Sequence, residues 1–590
     1  MKQNRIVSLL LAAVLLLGTL CAGCAKKPAD TEATHAPTAE AEPLPTEAPT
    51  AEITPETPEP EEVNDVPVRW QDGGKRSFLP HEPLSVPDLC DMVYERPETE
   101  TLIADIEALT DRIPVCDDTE ALLSDYYAVA ERIEHLAAMD SLAFFRYSMD
   151  MSDSYFSDEY DYCEEQCTIV AEKENALNAA FAASPCRDAL EQAYFGEGFF
   201  RDYDDFTEGD QAYFDLKQQE NDLLFKYYKL ASTADYTVYN GIRQNHEASG
   251  EIFIELVKVR RKIAEAKGYE NYMDYSYACD YKRDYTTDRA REYLNGVRTL
   301  LAPLTQYDTV TGYDSEYGFW NESKAMEYLG SAAEKMGGPI LEAFRFMTGH
   351  ALYDISDAPN KMATAYTTYL NDYESPFVFV NPDAKDLLIA LFHEYGHFTD
   401  FYRNYGALAD YETGETYSQA MVYLAFAYAD PFNDTQRQKN LRATVSQLLV
   451  YSILQEGAYA DFELQVYALA PEELTVENLD AIFGQCMKDY GLARLNDVRF
   501  NSNYWSVYLH FFAYPGYVIS YSDSAVAALQ ICRLEAENPG AGVDAFCRIL
   551  DRTHGKKFAA ILNETGLDSP FEEDTLQKSA AFLKDTFGIN

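Results

Sequence analysis

His393, Glu394 and His397 stand in the run Leu391-Phe392-His393-Glu394-Tyr395-Gly396-His397, the pattern HExxH. Residues four apart share one face of a helix, so both imidazoles can reach a single metal ion. The Glu394 carboxylate sits one step around, where it can reach a water held by that metal and act on its proton. This is the minimum apparatus for zinc-assisted hydrolysis. The chain has nine histidines in 590 residues, so a chance HExxH is on the order of a one-per-cent event. The bland alternative is an amphipathic core helix with two buried histidines.

The elements that must hold these residues are legible around them. Asn381 suits an N-cap, Pro382 a first helical position and Gly406 a C-terminal stop. Between them Leu388, Leu391, Phe392, Tyr395 and Tyr402 recur at three-and-four spacing, a core stripe that leaves the histidines on a neighbouring face. A catalytic zinc takes three protein ligands and keeps an open position. The next acidic segment, Asp410 to Gln419, precedes an apolar run from Ala420 to Ala429. The spacing predicts a second helix crossing the first, with a carboxylate near its start. Glu412 and Glu415 are both candidates, and both also read as ordinary acids complementing a helix dipole.

Glu415-Thr416-Tyr417-Ser418-Gln419 resembles the E-x-x-S-Q segment that follows the zinc helix in oligoendopeptidase F and its thimet-oligopeptidase-like relatives. In that family this glutamate is the third ligand, so the resemblance selects Glu415. Many members carry a histidine three positions after the second one, where this chain has Asp400; that position is not a ligand in the family. Upstream, the segment from Lys361 to Thr368 and then Ser375-Pro376-Phe377-Val378-Phe379-Val380-Asn381 resemble the family's two strands leading into the zinc helix. From the residues alone they read as a hairpin with a turn near Asn371-Asp372. Its edge could hold an extended peptide by backbone hydrogen bonds, or the pair could be a plain structural hairpin.

Downstream, the segment from His510 to Tyr521 resembles the family's H-x5-F-Y-x3-Y signature, with Gly516 where a Phe is usual. Pro515-Gly516 breaks any helix. A new helix near Tyr517 would put Tyr517 and Tyr521 on one face. The resemblance implies that His510 and one or both tyrosines donate hydrogen bonds to a tetrahedral intermediate, the kind of donor such chemistry needs. In a chain with 45 tyrosines, the alternative is that both are core. The stretch Val257 to Tyr272 also resembles the family's R-x-x-I-A-x-x-x-G-Y-x-x-Y pattern, and carries no evident chemistry; it reads as scaffold.

Lys2 and Arg5 precede an apolar run from Ile6 to Leu20, too short for a standard membrane span. It ends in Leu20-Cys21-Ala22-Gly23-Cys24, which looks like a bacterial lipobox with Cys24 lipidated after cleavage at Gly23. Simple secretion is the alternative. Residues 24–65 are rich in Pro, Thr, Glu and Ala and cannot bury enough surface to fold, so they read as a tether. The formal charge of −52 argues against nucleic acid and against docking of the folded part on an anionic membrane. Of eleven cysteines, Cys21 and Cys24 belong to the leader, and the rest are scattered. Cys163 and Cys167, one helical turn apart, read as packing on one face.

About 525 residues follow position 65, too many for one simple core. Apolar and acidic stretches at helical spacing dominate from Leu84 onward. The expected organisation is a signal peptide over 1–23, a tether over 24–65, an N-terminal helical lobe over 66–240 and a catalytic lobe over 241–590. The resemblance implies a mainly α, two-lobed zinc-peptidase fold with a deep cleft and a small β-sheet beside the HExxH helix. It also implies zinc held by His393, His397 and Glu415, with Glu394, His510, Tyr517 and Tyr521 as catalytic groups acting on oligopeptides. Membrane association would run through the N-terminal lipid alone, outside the cytoplasm. A carboxypeptidase or dipeptidyl carboxypeptidase on a related scaffold, and a non-catalytic peptide-binding lipoprotein, are the competing readings.

Overall fold

The computed structural model describes residues 86–589 apart from 117, 196–198, 201–210, 232–238, 307–320, 363, 383–386, 407–409, 430–434, 496 and 553–555. The signal peptide, the Cys24 lipobox and the tether lie outside the described residues, as does the segment 383–386 where a cap by Asn381 would be tested.

Helices dominate, as the apolar spacing predicts. Those used below are α1 (Thr99–Arg112), α2 (Thr119–Met149), α3 (Ser154–Ala182), α4 (Gln211–Ala231), α5 (Tyr239–Ala266), α6 (Thr287–Leu300), α7 (Glu322–Met336) and α8 (Gly338–Gly349). They continue as α9 (Leu387–Arg403), α10 (Tyr411–Ala429), α11 (Thr435–Val466), α12 (Val476–Asp489), α13 (Leu509–Ala513) and α14 (Ile519–Glu537). Short polar side chains start several of them. Asp118 accepts from Ala121 N, Asp153 from Tyr155 N and Phe156 N, Thr286 from Arg289 N, and Asn321 from Lys324 N. Each takes up a donor that the first helical turn leaves unpaired.

Two apolar clusters organise the chain. The smaller draws on α1, the first half of α2, α3 and the segment up to Phe200. The larger takes the second half of α2, from Ala138 to Phe145, and most of the chain from Tyr227 onward. The long helix α2 therefore belongs to both cores. Cys163 and Cys167 are buried, unpaired thiols on α3, in keeping with ordinary packing. No described helix is long and apolar enough to cross a membrane.

The predicted hairpin forms β2 (Ala365–Leu370) and β3 (Ser375–Val380), antiparallel, with a turn over Asn371–Tyr373. A two-residue strand, β1 (Tyr353–Asp354), joins β3 in parallel and completes the order β1-β3-β2. Two residues are too few to show a strand period, which is why β1 is not legible in the sequence. The sheet packs on α9, and α9 packs in turn on α10. The stripe Leu388, Leu391, Phe392 and Tyr395 is buried as expected. Gly406, at φ +66°, closes the end of α9 by donating to Phe401 O, a conformation that suits a residue without a Cβ.

Candidate metal centre

The two helices meet where the histidines are. A Cβ on Gly396 would stand 2.6 Å from Ser418 Cα and 2.7 Å from Tyr417 O. Only a residue without a side chain lets the α10 backbone come this close. The contact brings Glu415, at the start of α10, over the histidine face of α9. Glu415 Oε2 lies 3.8 Å from His393 Nε2 and 3.9 Å from His397 Nε2. Among the described residues this trio comes together as a possible metal site. Ligand atoms around a tetrahedral zinc stand about 3.3 Å apart, given bonds of about 2.0–2.1 Å. The trio is therefore a slightly open version of that geometry, and two imidazoles with one carboxylate are ligands zinc accepts.

The electrostatics fit the same use. Burial pushes His397 down to about 4, so its imidazole is neutral and able to ligate. Burial also pushes Glu415 up to about 7, against hydrogen bonds from Ser418 and Tyr517 that favour its charged form. Taking that carboxylate out of water without a cation beside it is costly. Ser418 Oγ is within hydrogen-bond reach of Glu415 O and Oε2, at 2.9 and 3.2 Å, and so orients the carboxyl.

Glu394 is fully buried. Thr367 Oγ1, on β2, is within reach of Glu394 O and Oε2, at 2.9 and 2.8 Å. The sheet thus fixes the orientation of this carboxyl from outside its own helix. Glu412, the rival for third ligand, faces elsewhere. Its Oε1 accepts from Arg283 Nε at 2.6 Å, Tyr285 Oη at 3.0 Å and Ser520 Oγ at 2.9 Å. That guanidinium holds its carboxyl below the usual range against the opposing effect of burial.

The segment from His510 to Tyr521 reaches the same place from the far end of the chain. Helix α13 ends before Pro515-Gly516, and α14 begins at Ile519. Tyr517 Oη donates to Glu415 Oε1 at 3.2 Å. The Tyr517 and Tyr521 ring centroids lie 5.1 Å apart, and the His510 ring lies 5.8 and 5.9 Å from them. Both phenols are pushed well above their usual range, chiefly by burial. Burial drives His510 down to about 3, and neither ring nitrogen has a hydrogen-bond partner among the described residues. A buried imidazole usually has one.

Several residues that hold this segment were given no role by the sequence. Arg260, in the stretch read as scaffold, is fully buried. It donates to Glu220 at 2.7 Å and to the carbonyls of Phe511 and Phe512 at the end of α13. Three side chains clamp the turn that follows: Ser276 Oγ donates to Pro515 O, Arg283 Nη1 to Gly516 O, and Gly516 N to Glu463 Oε1, each at 2.9 Å. Gln419 Nε2 donates to Tyr521 O at 3.2 Å and Ser524 Oγ at 3.0 Å, tying α10 to α14. Asp400, where many relatives have a histidine, pairs with the buried Arg552, which also reaches the Tyr417 hydroxyl. It therefore braces α9 against α10.

Comparison with known proteins places this arrangement. Residues 89–205 match the family model of the peptidase M3 N-terminal domain. The chain's structure superposes on PZ peptidase A, solved with an inhibitor, with a TM-score of 0.71 at 19% identity, over 85% of this chain and 99% of that one. A protein from Bacillus anthracis assigned as oligoendopeptidase F gives 0.68 at 20% identity, over 85% and 98%. Oligoendopeptidase-F from Enterococcus faecium gives 0.52 at 12% identity, over 83% and 96%. No curated protein matches the chain in sequence. The fold is thus shared across nearly the full length of these proteins, at identities where sequence alone carries little.

Proposed function

We propose that this chain is a zinc-dependent endopeptidase that hydrolyses short peptides. The observation that carries the reading is the convergence of His393, His397 and Glu415 from two helices onto one point, with Glu394 and Tyr517 beside it. His393, His397 and Glu415 would hold the ion. When bound, zinc supplies a Lewis acid that polarises a carbonyl and makes water a nucleophile near neutral pH.

The chain's own residues do the rest. Glu394, held by Thr367, takes the proton of the attacking water and passes it to the leaving amine. Tyr517, Tyr521 and His510 donate hydrogen bonds to the oxygen that gains charge at the scissile carbonyl, and so favour the transition state over the bound peptide. Among the described residues, strand β2 has β3 on one side only. Its other edge supports binding of an extended peptide by backbone hydrogen bonds.

The test is a digest of a peptide blocked at both ends by the zinc-loaded chain, with Glu394→Gln beside it. Internal cleavage by the wild type, and nearly complete loss in the variant at equal zinc content, is expected. A blocked peptide left intact while its free counterpart is trimmed would replace the endopeptidase with an exopeptidase. Full turnover by the variant would remove Glu394 from the mechanism.

We also read Cys24 as the attachment point of a lipid that holds the enzyme outside the cytoplasm on a bacterial membrane. Cys24→Ala is then expected to release the chain or leave its precursor uncut, and unchanged fractionation with normal processing would remove the anchor.

A further inference from the structure

No hydrogen bond among the described residues fixes the direction of the His510 imidazole, since neither ring nitrogen has a partner there. The torsion that turns such a ring is broad and roughly two-fold. Its plane must then be set by packing. Tyr514, Tyr517 and Tyr521 stand 6.0, 5.8 and 5.9 Å from it, tilted by 61°, 33° and 74°. Tyr508 is nearer, at 4.9 Å, and more nearly parallel, at 22°. A stacked ring covers one face of the imidazole and resists its rotation.

Tyr508 is held in turn. It is buried just ahead of α13, with Tyr459 and Phe511 set edgewise against it at 4.8 and 5.0 Å. Its hydroxyl donates to Glu456 Oε2, on α11, at 3.1 Å, and Gln455 Nε2 donates to Glu456 Oε1 at 2.7 Å. Both oxygens of that carboxyl are thus engaged. Glu456 is fully buried, and burial pushes it up to about 8, so near neutral pH it is largely an uncharged acid. Neither Tyr508 nor Glu456 has a part in the reaction as read above.

We propose that Tyr508, tethered by Glu456, is a positioning residue that fixes the imidazole plane of His510, so that a ring nitrogen and not a ring carbon faces the oxygen that gains charge. The proposal rests on the endopeptidase reading and adds these residues to it. A donor of this kind acts only from about 2.7–3.1 Å of where that oxygen will be. A turned imidazole offers a C–H in place of its N–H, and a small displacement already costs much of the rate.

The test uses the full zinc-loaded chain, its histidine rings labelled with carbon-13, and a peptide blocked at both ends. The His510 signal is the one that His510→Gln lacks. Tyr508→Leu removes the stacked ring. It should displace the His510 ring-proton signal and lower kcat roughly 10- to 100-fold with little change in KM. Tyr508→Phe keeps the ring and loses the tether. It should do both to a smaller extent, and it is the variant to read if the leucine does not fold. Glu456→Leu removes the tether from the other side and should match Tyr508→Phe. Glu456→Gln keeps an acceptor for the Tyr508 hydroxyl and should restore both kcat and the signal. Phe483 lies in the same aromatic cluster, with Tyr459, Phe462 and Phe511 as ring neighbours. Phe483→Leu should therefore cost stability and leave kcat and the His510 signal in place. Wild-type kcat in the Tyr508 variants, a fall in kcat with the His510 signal unmoved, or an equal effect of Phe483→Leu overturns the positioning role and leaves the endopeptidase standing. A zinc-loaded wild type that cleaves nothing overturns the endopeptidase, and the positioning role with it.

Discussion

At the scale of single residues, two carboxylates three positions apart on α10 have opposite surroundings. Glu415 faces two imidazoles and is pushed up to about 7 by burial; Glu412 faces Arg283 and is held down. Replacing each by alanine separates them. Glu415→Ala should empty the zinc site while the folded state survives, because the lost group is one whose charge burial already disfavours. Glu412→Ala should leave Arg283 buried without its partner, at a cost of about 3–5 kcal/mol, with zinc still bound by the molecules that remain folded. Zinc per folded chain and a thermal melt read the two effects. An empty site in Glu412→Ala at an unchanged melting temperature would exchange the assignments. Tyr517→Phe and Tyr521→Phe test the hydroxyls alone, since each ring stays in place. Loss of one transition-state donor should lower kcat by about 10²–10³-fold with little change in KM. Full kcat in both would make the tyrosines core. The histidine pair was readable from its helical spacing, whereas Glu415 over Glu412, and His510 with the two tyrosines, were picked out by the family resemblance alone. Thr367, which orients Glu394, was not readable: a threonine in a strand is ordinary, and its partner is 27 residues away.

At the scale of elements, the site is a joint between α10 and the segment that links α13 to α14, and Arg283 is the pin. Its three nitrogens reach Glu412 on α10, the carbonyl of Gly516 just before Tyr517, and the hydroxyl of Ser520 just before Tyr521. One rigid fork therefore sets both tyrosines relative to the helix that carries Glu415. Lysine has the charge without the fork. Arg283→Lys should keep zinc and most of the stability yet lower kcat by roughly 10- to 100-fold, the scale of loss from a displaced catalytic group. Wild-type kcat in that variant would show that the segment holds itself. The helices and the β2–β3 hairpin were legible from apolar periods and turn residues. The pins between them were not. Arg260, read only as part of a scaffold stretch, and Arg283, which reads like a surface cation, are found buried against carbonyls more than 200 residues away.

At the scale of the whole molecule, the excess of acid is carried partly inside. Burial pushes Glu463, which caps the Gly516 turn, up to about 8 from an ordinary 4.5. Between those values the folded chain keeps a proton that the unfolded chain releases. Stability therefore declines as pH rises from about 4.5 and levels off above about 8. Glu463→Gln cannot ionise and retains an oxygen for Gly516 N. Its melting temperature should fall less than that of the wild type between pH 5 and 8, a difference on the order of 1 kcal/mol or more. Parallel pH curves for the two would place Glu463 in water-like surroundings. Two apolar cores joined through α2 are the other whole-molecule feature. Length alone implied more than one core, but no composition break marks the point within α2 where the residues change allegiance.

The contact at Gly396 has a consequence for how such a site can change over time. The spacing between the two ligand-bearing helices is set there by main chain against main chain, and no side-chain repacking can restore it once a methyl group intervenes. A single added carbon at position 396 would separate Glu415 from both histidines at once. An alanine scan that scores only expression would pass over that loss.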